Sequence, residues 1–250
     1  AFVDELFHAT GEMMIATTND AEVTRTAGGV GRNIAQQLAL LDVPVQLISV
    51  FGNDSEGDWL KKICTTAGVG LDASVTKDGF SGKYTGILKS DGSLFLAFLT
   101  NPANHLITPE HLEQNKQLLS TASFLLADTN ISIQTIDWLL ALSHQTGIPL
   151  IIEPVSVPPA IKLRQANING LFLITPNEDE LPVLCSDNAR TEEQQIGELL
   201  NRGVRNVWLH KGKQGSAFYS TEKQILLNAP SINRTVPSAL SDHETNNLFE

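Results

Sequence analysis

The chain is short of cysteine, of basic residues and of long apolar runs, and each shortage removes a class of function. Its two cysteines, Cys64 and Cys185, lie far apart and outside any C-x-x-C spacing. Neither a disulfide framework nor a thiolate zinc site is expected, and a reducing, cytoplasmic setting is. Lysine and arginine number 17 against 28 aspartates and glutamates, a net charge of −11. A nucleic-acid surface needs a clustered positive field, so no nucleic-acid partner is expected. No apolar run reaches membrane-spanning length and no basic-then-apolar leader opens the chain, so no membrane partner is expected either. His105, His144 and His210 fall in no metal-ligand spacing such as H-E-x-x-H. No internal repeat or low-complexity segment is present.

What is there fits one large α/β domain with a small appendage: 250 residues suffice to bury a substantial core. The chain is organised around Thr26-Ala27-Gly28-Gly29-Val30-Gly31-Arg32-Asn33-Ile34-Ala35. Three glycines in four positions, then an apolar set at Ile34, Leu38 and Leu41, describe a tight corner opening into an amphipathic helix. Such a corner lets a polyhydroxylated or anionic group approach the main chain and meet the unpaired N–H groups of a first helical turn. Asn33 adds a side chain that donates and accepts, which suits a vicinal diol. The spacing is not G-x-G-x-x-G, so a dinucleotide fingerprint fits poorly. The plain alternative is a glycine-rich turn that only starts a helix.

Along the chain, Ala1-Phe2-Val3-Asp4 reads as the end of a buried strand that delivers a carboxylate where α/β sheets bind ligands. Residues 5–26 read as short strands or loop, Val45–Phe51 as a strand, and Ser55–Thr66 as a helix with Trp59, Leu60 and Ile63 inward, ended at Gly68. Lys83–Lys89 and Leu94–Leu99 form a hairpin around Asp91-Gly92. With residues 5–26 it makes a small β lid, bounded at about 5–26 and 78–104. Helices are then predicted over Pro109–Leu119, Ile133–His144, Glu178–Leu184 and Glu192–Asn201. They alternate with strands over Phe124–Ala127, Pro149–Glu153, Gly170–Ile174 and Asn206–His210, and a closing hairpin follows at Gly215–Tyr219 and Gln224–Asn228. This alternation implies a mainly parallel sheet covered on both faces.

Polar groups cluster at the predicted strand ends: Asp128-Thr129-Asn130, Glu153-Pro154-Val155-Ser156, Thr175-Pro176-Asn177-Glu178-Asp179-Glu180 and Lys211-Gly212-Lys213-Gln214-Gly215. In a parallel sheet these loops share one edge with the glycine corner, which is the argument for an active site. Each has a plainer reading. Asn177 and Glu180 could be a helix cap and its N3 acid, Glu153 a surface acid, and the Lys211–Gly215 run a turn with solvated lysines.

Taken in order, these motifs and Asp4 resemble the PfkB, or ribokinase-like, carbohydrate and nucleoside kinases over nearly the whole chain. Within that family Gly-Gly-Val-Gly-Arg-Asn and Pro-Val-Ser are similar to the pseudouridine kinases. The resemblance implies a ribokinase-like three-layer αβα sandwich with a mainly parallel sheet and a small β lid. It implies transfer of the ATP γ-phosphoryl group to a sugar or nucleoside hydroxyl with Mg²⁺, a monovalent cation such as K⁺ being left open. Asp4, Gly28, Gly29 and Asn33 would hold the acceptor's ribose hydroxyls, with Asn104 at the lid edge and Asn130 in the same cleft. Asn177 and Glu180 match the family's N-x-x-E motif, which places magnesium and the nucleotide phosphates mainly through water, and Glu153 would assist the metal. Lys211, Gly212 and Gly215 match the loop near the ATP base and ribose. The lid would exclude water, and pairing of two lids would make a homodimer.

One departure is large. The family's Gly-Ala-Gly-Asp segment, an anion hole and a base, has no clear counterpart: residues 232–242 read Ile-Asn-Arg-Thr-Val-Pro-Ser-Ala-Leu-Ser-Asp, with Asp242 a weak candidate. That block is expected to be deleted or to lie outside this sequence, and Ala1 without an initiator Met points the same way. The alternatives are a kinase of ribose, fructose or another nucleoside, or a catalytically inactive ligand-binding homologue.

Overall fold

Two sheets take most of the strands in the computed structural model, which describes residues 1–100 and 102–229. The smaller sheet begins at once. β1 (Phe2–Ala9) and β2 (Ala21–Gly28) form an antiparallel hairpin paired over all eight residues. Asp4 is therefore the third residue of a strand that runs on into this sheet, not the last residue of a strand in the main one. The stretch expected as short strands or loop is a full hairpin because its long pairing, not burial, holds it: β2 is almost wholly exposed, so no clear alternation marks it.

Gly29, at φ 97°, turns the chain into helix α1 (Val30–Leu40). Leu41 lies beyond the helix and is exposed, so the inner face rests instead on Ala35 and, unexpectedly, Arg32. The run 45–51 keeps only β3 (Val50–Gly52), which pairs in parallel with β4 (Val75–Lys77). Between them lies α2 (Ser55–Thr66), capped by Asp54, whose carboxylate accepts from the Gly57 N–H at 2.7 Å. Leu60 and Cys64 of α2 are fully buried. β5 (Gly82–Leu88) and β6 (Leu94–Thr100) complete the small sheet, in the order β2-β1-β5-β6 with β5 parallel to β1.

The predicted helix 109–119 is broken into α3 (Pro109–Gln114) and α4 (Lys116–Leu119) at Asn115, whose side chain donates back to the His111 carbonyl at 2.8 Å. Then come β7 (Leu125–Asp128), α5 (Ile133–Thr146), β8 (Leu150–Glu153), α6 (Val157–Ala160) and β9 (Leu173–Ile174). α7 (Leu181–Leu184), α8 (Glu192–Asn201), β10 (Asn206–His210), β11 (Ser216–Ser220) and β12 (Gln224–Leu227) follow. α7 starts three residues later than expected because the Asn177 side chain takes the N–H groups of Asp179 and Glu180 into a turn of its own.

β7, β8, β9 and β10 are parallel neighbours, and β11 and β12 close the main sheet antiparallel. One face carries Leu125, Ala127, Leu150, Ile152, Ile174, Val207 and Leu209, all buried in the main core with α5, α7 and α8. Each fully buried aliphatic side chain there contributes about 1.5–3 kcal/mol. The opposite face carries Leu126, Trp208 and Ile225 at 41%, 37% and 39% exposure among the described residues. No helix among the described residues is long and apolar enough to cross a membrane.

Candidate active site

The glycine corner lies between two carboxylates. Gly28 ends β2 diagonally across from Asp4 of β1, and a Cβ at Gly28 would fall 2.1 Å from Asp4 Oδ1. Only glycine lets that carboxylate lie against the main chain. On the other side, Asp128 at the end of β7 receives the Gly31 N–H at 3.4 Å and the Asn130 N–H at 3.0 Å. α1 begins with no side-chain cap at Gly29. Its first turn thus presents N–H groups between the two acids.

Arg32 makes the corner rigid. Its buried guanidinium donates to the Gly28 carbonyl at 3.1 Å, the Ala27 carbonyl at 2.9 Å, Gln36 Oε1 at 2.6 Å and Asn33 Oδ1. The exposed Asn33 side chain is thereby aimed by its neighbour. Burial pushes the Asp4 carboxyl above its usual range, and the Arg32 charge pulls it part of the way back. Asp4 shares its face of the small sheet with Tyr84, its register partner on β5, and with Leu6.

From Asp128 the border of the main sheet continues strand by strand. Thr129 donates its N–H to the Glu153 carbonyl at 3.0 Å and its hydroxyl to the Pro154 carbonyl. Glu153, ending β8, accepts from the Val155 N–H at 3.1 Å and from the Thr175 hydroxyl at 2.5 Å. Glu180 is 3% exposed and accepts from the Asn177 N–H at 2.9 Å. Burial pushes the Glu180 carboxyl up; the Asn177 N–H opposes this, while the like charges of Glu153 and Asp179 add to it. Two carboxylates that repel across a buried gap fit a hard divalent cation that keeps several waters. Among the described residues no group of three or more His, Cys, Asp or Glu is arranged to hold a metal by itself. The donor set therefore suits a water-mediated Mg²⁺ rather than a closed protein cage.

Asn177 bridges to His210 at the end of β10, which brings Lys211 to the same border. At roughly 4.8 Å per strand, Asp128 and the turn after β9 are about 10 Å apart along the edge. The Lys211 ammonium is turned to Glu192, 2.7 Å away, rather than outward. Gly212 and Gly215 sit at φ 51° and 92°, and a Cβ at Gly215 would fall 1.9 Å from the Leu227 carbonyl. Asn130 is half-buried beside Asp128, whereas Asn104 lies in the turn after β6, and its side chain makes no hydrogen bond among the described residues. Asp242 lies outside the described residues.

Sequence reasoning passed over three side chains that shape this border. Arg32 was readable only as a charge within the glycine-corner motif, off the face of Ile34, Leu38 and Leu41 expected to be apolar. Asp128 was quoted within a strand-end motif without a role. Lys162, which donates to the Thr129 and Ile131 carbonyls at 2.7 and 2.9 Å, carried no motif at all. A concavity of about 830 Å³ lies elsewhere: Phe7, Ile87, Phe95 and Phe98 line it, and Phe7 stands on the face of β1 opposite Asp4.

Known proteins share this arrangement of sequence. A pseudouridine kinase of Escherichia coli is 30% identical over 88% of this chain and 70% of its own length. An uncharacterised sugar kinase of the same organism is 32% identical over 82% of this chain, which spans 58% of that relative. In structure, a ribokinase of Arabidopsis thaliana complexed with ribose and ATP superposes at a TM-score of 0.70 and 23% identity, covering 91% of this chain and 75% of that one. The fold is thus the ribokinase-like αβα sandwich. The family model for pfkB carbohydrate kinases matches residues 9–236, which take in the glycine corner and every strand end of the border, and the chain belongs to that family.

Proposed function

We propose that this chain transfers the γ-phosphoryl group of ATP to the 5′-hydroxyl of a nucleoside, pseudouridine first, with Mg²⁺. The observation that carries the reading is the glycine corner held between Asp4 and Asp128, with a second acidic pair, Glu153 and Glu180, farther along the same border. Two carboxylates and open helix N–H groups can accept from and donate to the hydroxyls of a ribose. The Gly-Gly-Val-Gly-Arg-Asn wording and the 30% identical pseudouridine kinase favour that nucleoside. The ribose and ATP bound by the Arabidopsis thaliana neighbour support ribose as the second reading.

In this reading Asp4, Gly28, Gly29, Asn33 and Asn130 orient the acceptor so that its hydroxyl oxygen faces the γ-phosphorus. Asn104 borders the lid, and Lys211, Gly212 and Gly215 flank the nucleotide. The new P–O bond forms as the bond to ADP breaks, and the hydroxyl proton leaves to a base, for which Asp242 is the candidate. Glu153 and Glu180 would hold Mg²⁺ through water, and the ion supplies charge neutralisation of the phosphates. The small sheet acts as a lid that excludes water from the transfer. β6, an edge strand with Leu94, Phe95, Leu96, Phe98 and Leu99 about half exposed on both faces, would pair with a second copy.

The test is magnesium-dependent ADP release from the full-length protein over pseudouridine, uridine, ribose and fructose. Release is expected to be fastest with pseudouridine. No release with any of them overturns the kinase reading, and ribose as the preferred acceptor overturns the choice of substrate.

A further inference from the structure

Lys162 stands in a short turn after α6, outside every motif of the border, yet its ammonium reaches into it. Nζ donates to the Thr129 carbonyl at 2.7 Å and the Ile131 carbonyl at 2.9 Å. These carbonyls flank Asn130 in the turn that joins β7 to α5. The same turn is held from the other side by Asp128, which takes the Asn130 and Gly31 N–H groups, and by Thr129, whose hydroxyl meets the Pro154 carbonyl. Burial lowers the Lys162 pKa while the nearby Asp128 charge raises it. A lysine with a long flexible stem is ordered here only because two carbonyls converge on it.

We propose that Lys162 is a positioning residue for the acceptor end: it locks the 129–131 turn so that Asp128 and Asn130 stay in register with the glycine corner. The proposal rests on the kinase reading for its meaning, but the geometry it predicts does not. Without the ammonium, two carbonyls lose their donor and the turn relaxes. Asp128 then drifts from Gly31, the bond already longest in the set at 3.4 Å. The side chains of Asn177, Glu180 and Glu153 are held by hydrogen bonds in which Lys162 takes no part. The turn reaches that nucleotide end through the Thr129 N–H on the Glu153 main-chain carbonyl, so the acceptor end is expected to shift more than the nucleotide end.

Lys162→Met keeps the stem and removes charge and donors. In the full-length protein it is expected to raise the KM for pseudouridine at least tenfold with the KM for ATP within twofold, and Lys162→Arg to return the acceptor KM to within threefold of wild type. Hydrogen exchange of the Thr129 and Asn130 amides is expected to quicken at least tenfold in Lys162→Met. If that variant does not fold, Lys162→Gln, neutral but still a donor, carries the same test with a smaller expected rise of at least fivefold in acceptor KM. Unchanged acceptor KM, or equal rises for acceptor and ATP, overturns the proposal. If the wild type releases no ADP with any acceptor, the kinase reading fails, and the exchange rates alone uphold or overturn the role of Lys162.

Discussion

Asp4 accepts hydrogen bonds through both oxygens, with its full charge, only while it is ionised, and burial raises its carboxyl above the ordinary 3.8, with Arg32 opposing. As pH falls through that raised value the carboxylate proposed to bind the acceptor is protonated. The KM for the acceptor is therefore expected to climb at a higher pH than an ordinary aspartate would dictate, and a pH profile of Asp4→Asn is expected to lose that limb. Asp4→Ala removes a hydrogen bond from a charged group, about 1.5–3 kcal/mol, or roughly 10- to 100-fold in acceptor KM with ATP affinity kept. A similar loss for ATP in steady-state kinetics contradicts the assignment. Glu180, raised by burial as Asp4 is, bears on stability. Its folded pKa lies above 4.5, so the folded state binds the proton more readily than the unfolded chain and stability is lost as pH rises through the raised value. Above it, Mg²⁺ is expected to raise Tm by relieving the repulsion with Glu153, and Glu180→Gln is expected to raise the metal-free Tm and abolish the Mg²⁺ effect in a thermal-shift titration. The glycines and acids were legible at this scale because their types are rare in that order; Arg32 and Lys162 were not, because their partners are main-chain carbonyls that no residue type reveals.

At the scale of elements, the N-terminus of α2 is where the small sheet is fastened. Asp54 accepts from the Ser81 N–H at 2.8 Å, the Ser81 hydroxyl at 2.6 Å and the Gly57 N–H at 2.7 Å. Burial alone would raise its pKa, but those hydrogen bonds outweigh it and hold the carboxyl below its usual range. Its stabilisation is present at neutral pH and is lost as pH falls through the lowered value. Two residues on, Glu56 meets Arg25 of β2 at 2.5 Å and Lys83 of β5 at 3.1 Å. Asp54→Ala is expected to cost about 1–2 kcal/mol as a lost cap alone, seen in urea unfolding. If the sheet serves as a lid, the acceptor KM rises with it; an unaltered unfolding midpoint argues against the fastening. α2 and α8 matched expectation residue for residue because caps are local chemistry: Asp54 in one, the Thr191 and Gln194 capping box in the other. The helix over 178–184 shrank because Pro176 and Asn177 spend the first turn on a side-chain-capped bend, and the strand over 45–51 shrank because pairing with β4 covers only three residues.

For the whole molecule, the apolar edge of β6 sets the expectation of a dimer. Sedimentation of the full-length protein is expected to show a second copy, and Leu96→Lys with Phe98→Lys to yield monomer without a large change in Tm, since both side chains are already about half exposed. A monomeric wild type at micromolar concentration contradicts the pairing.

Local chemistry, which acts over a few residues, was enough to set the alternation of strand and helix, the hairpin turn at Asp91-Gly92, the helix caps and the glycine corner, and so to indicate a mainly parallel sheet with these motifs at its strand ends. Tertiary structure alone decided that Asp128 meets Gly31, that Lys162 meets the turn 33 residues before it, and that Asp4 lies within a strand of the small sheet. Those outcomes follow from strand register and from which carbonyls burial leaves in need of a donor. Both are sums over segments distant in the chain, and no local pattern contains them.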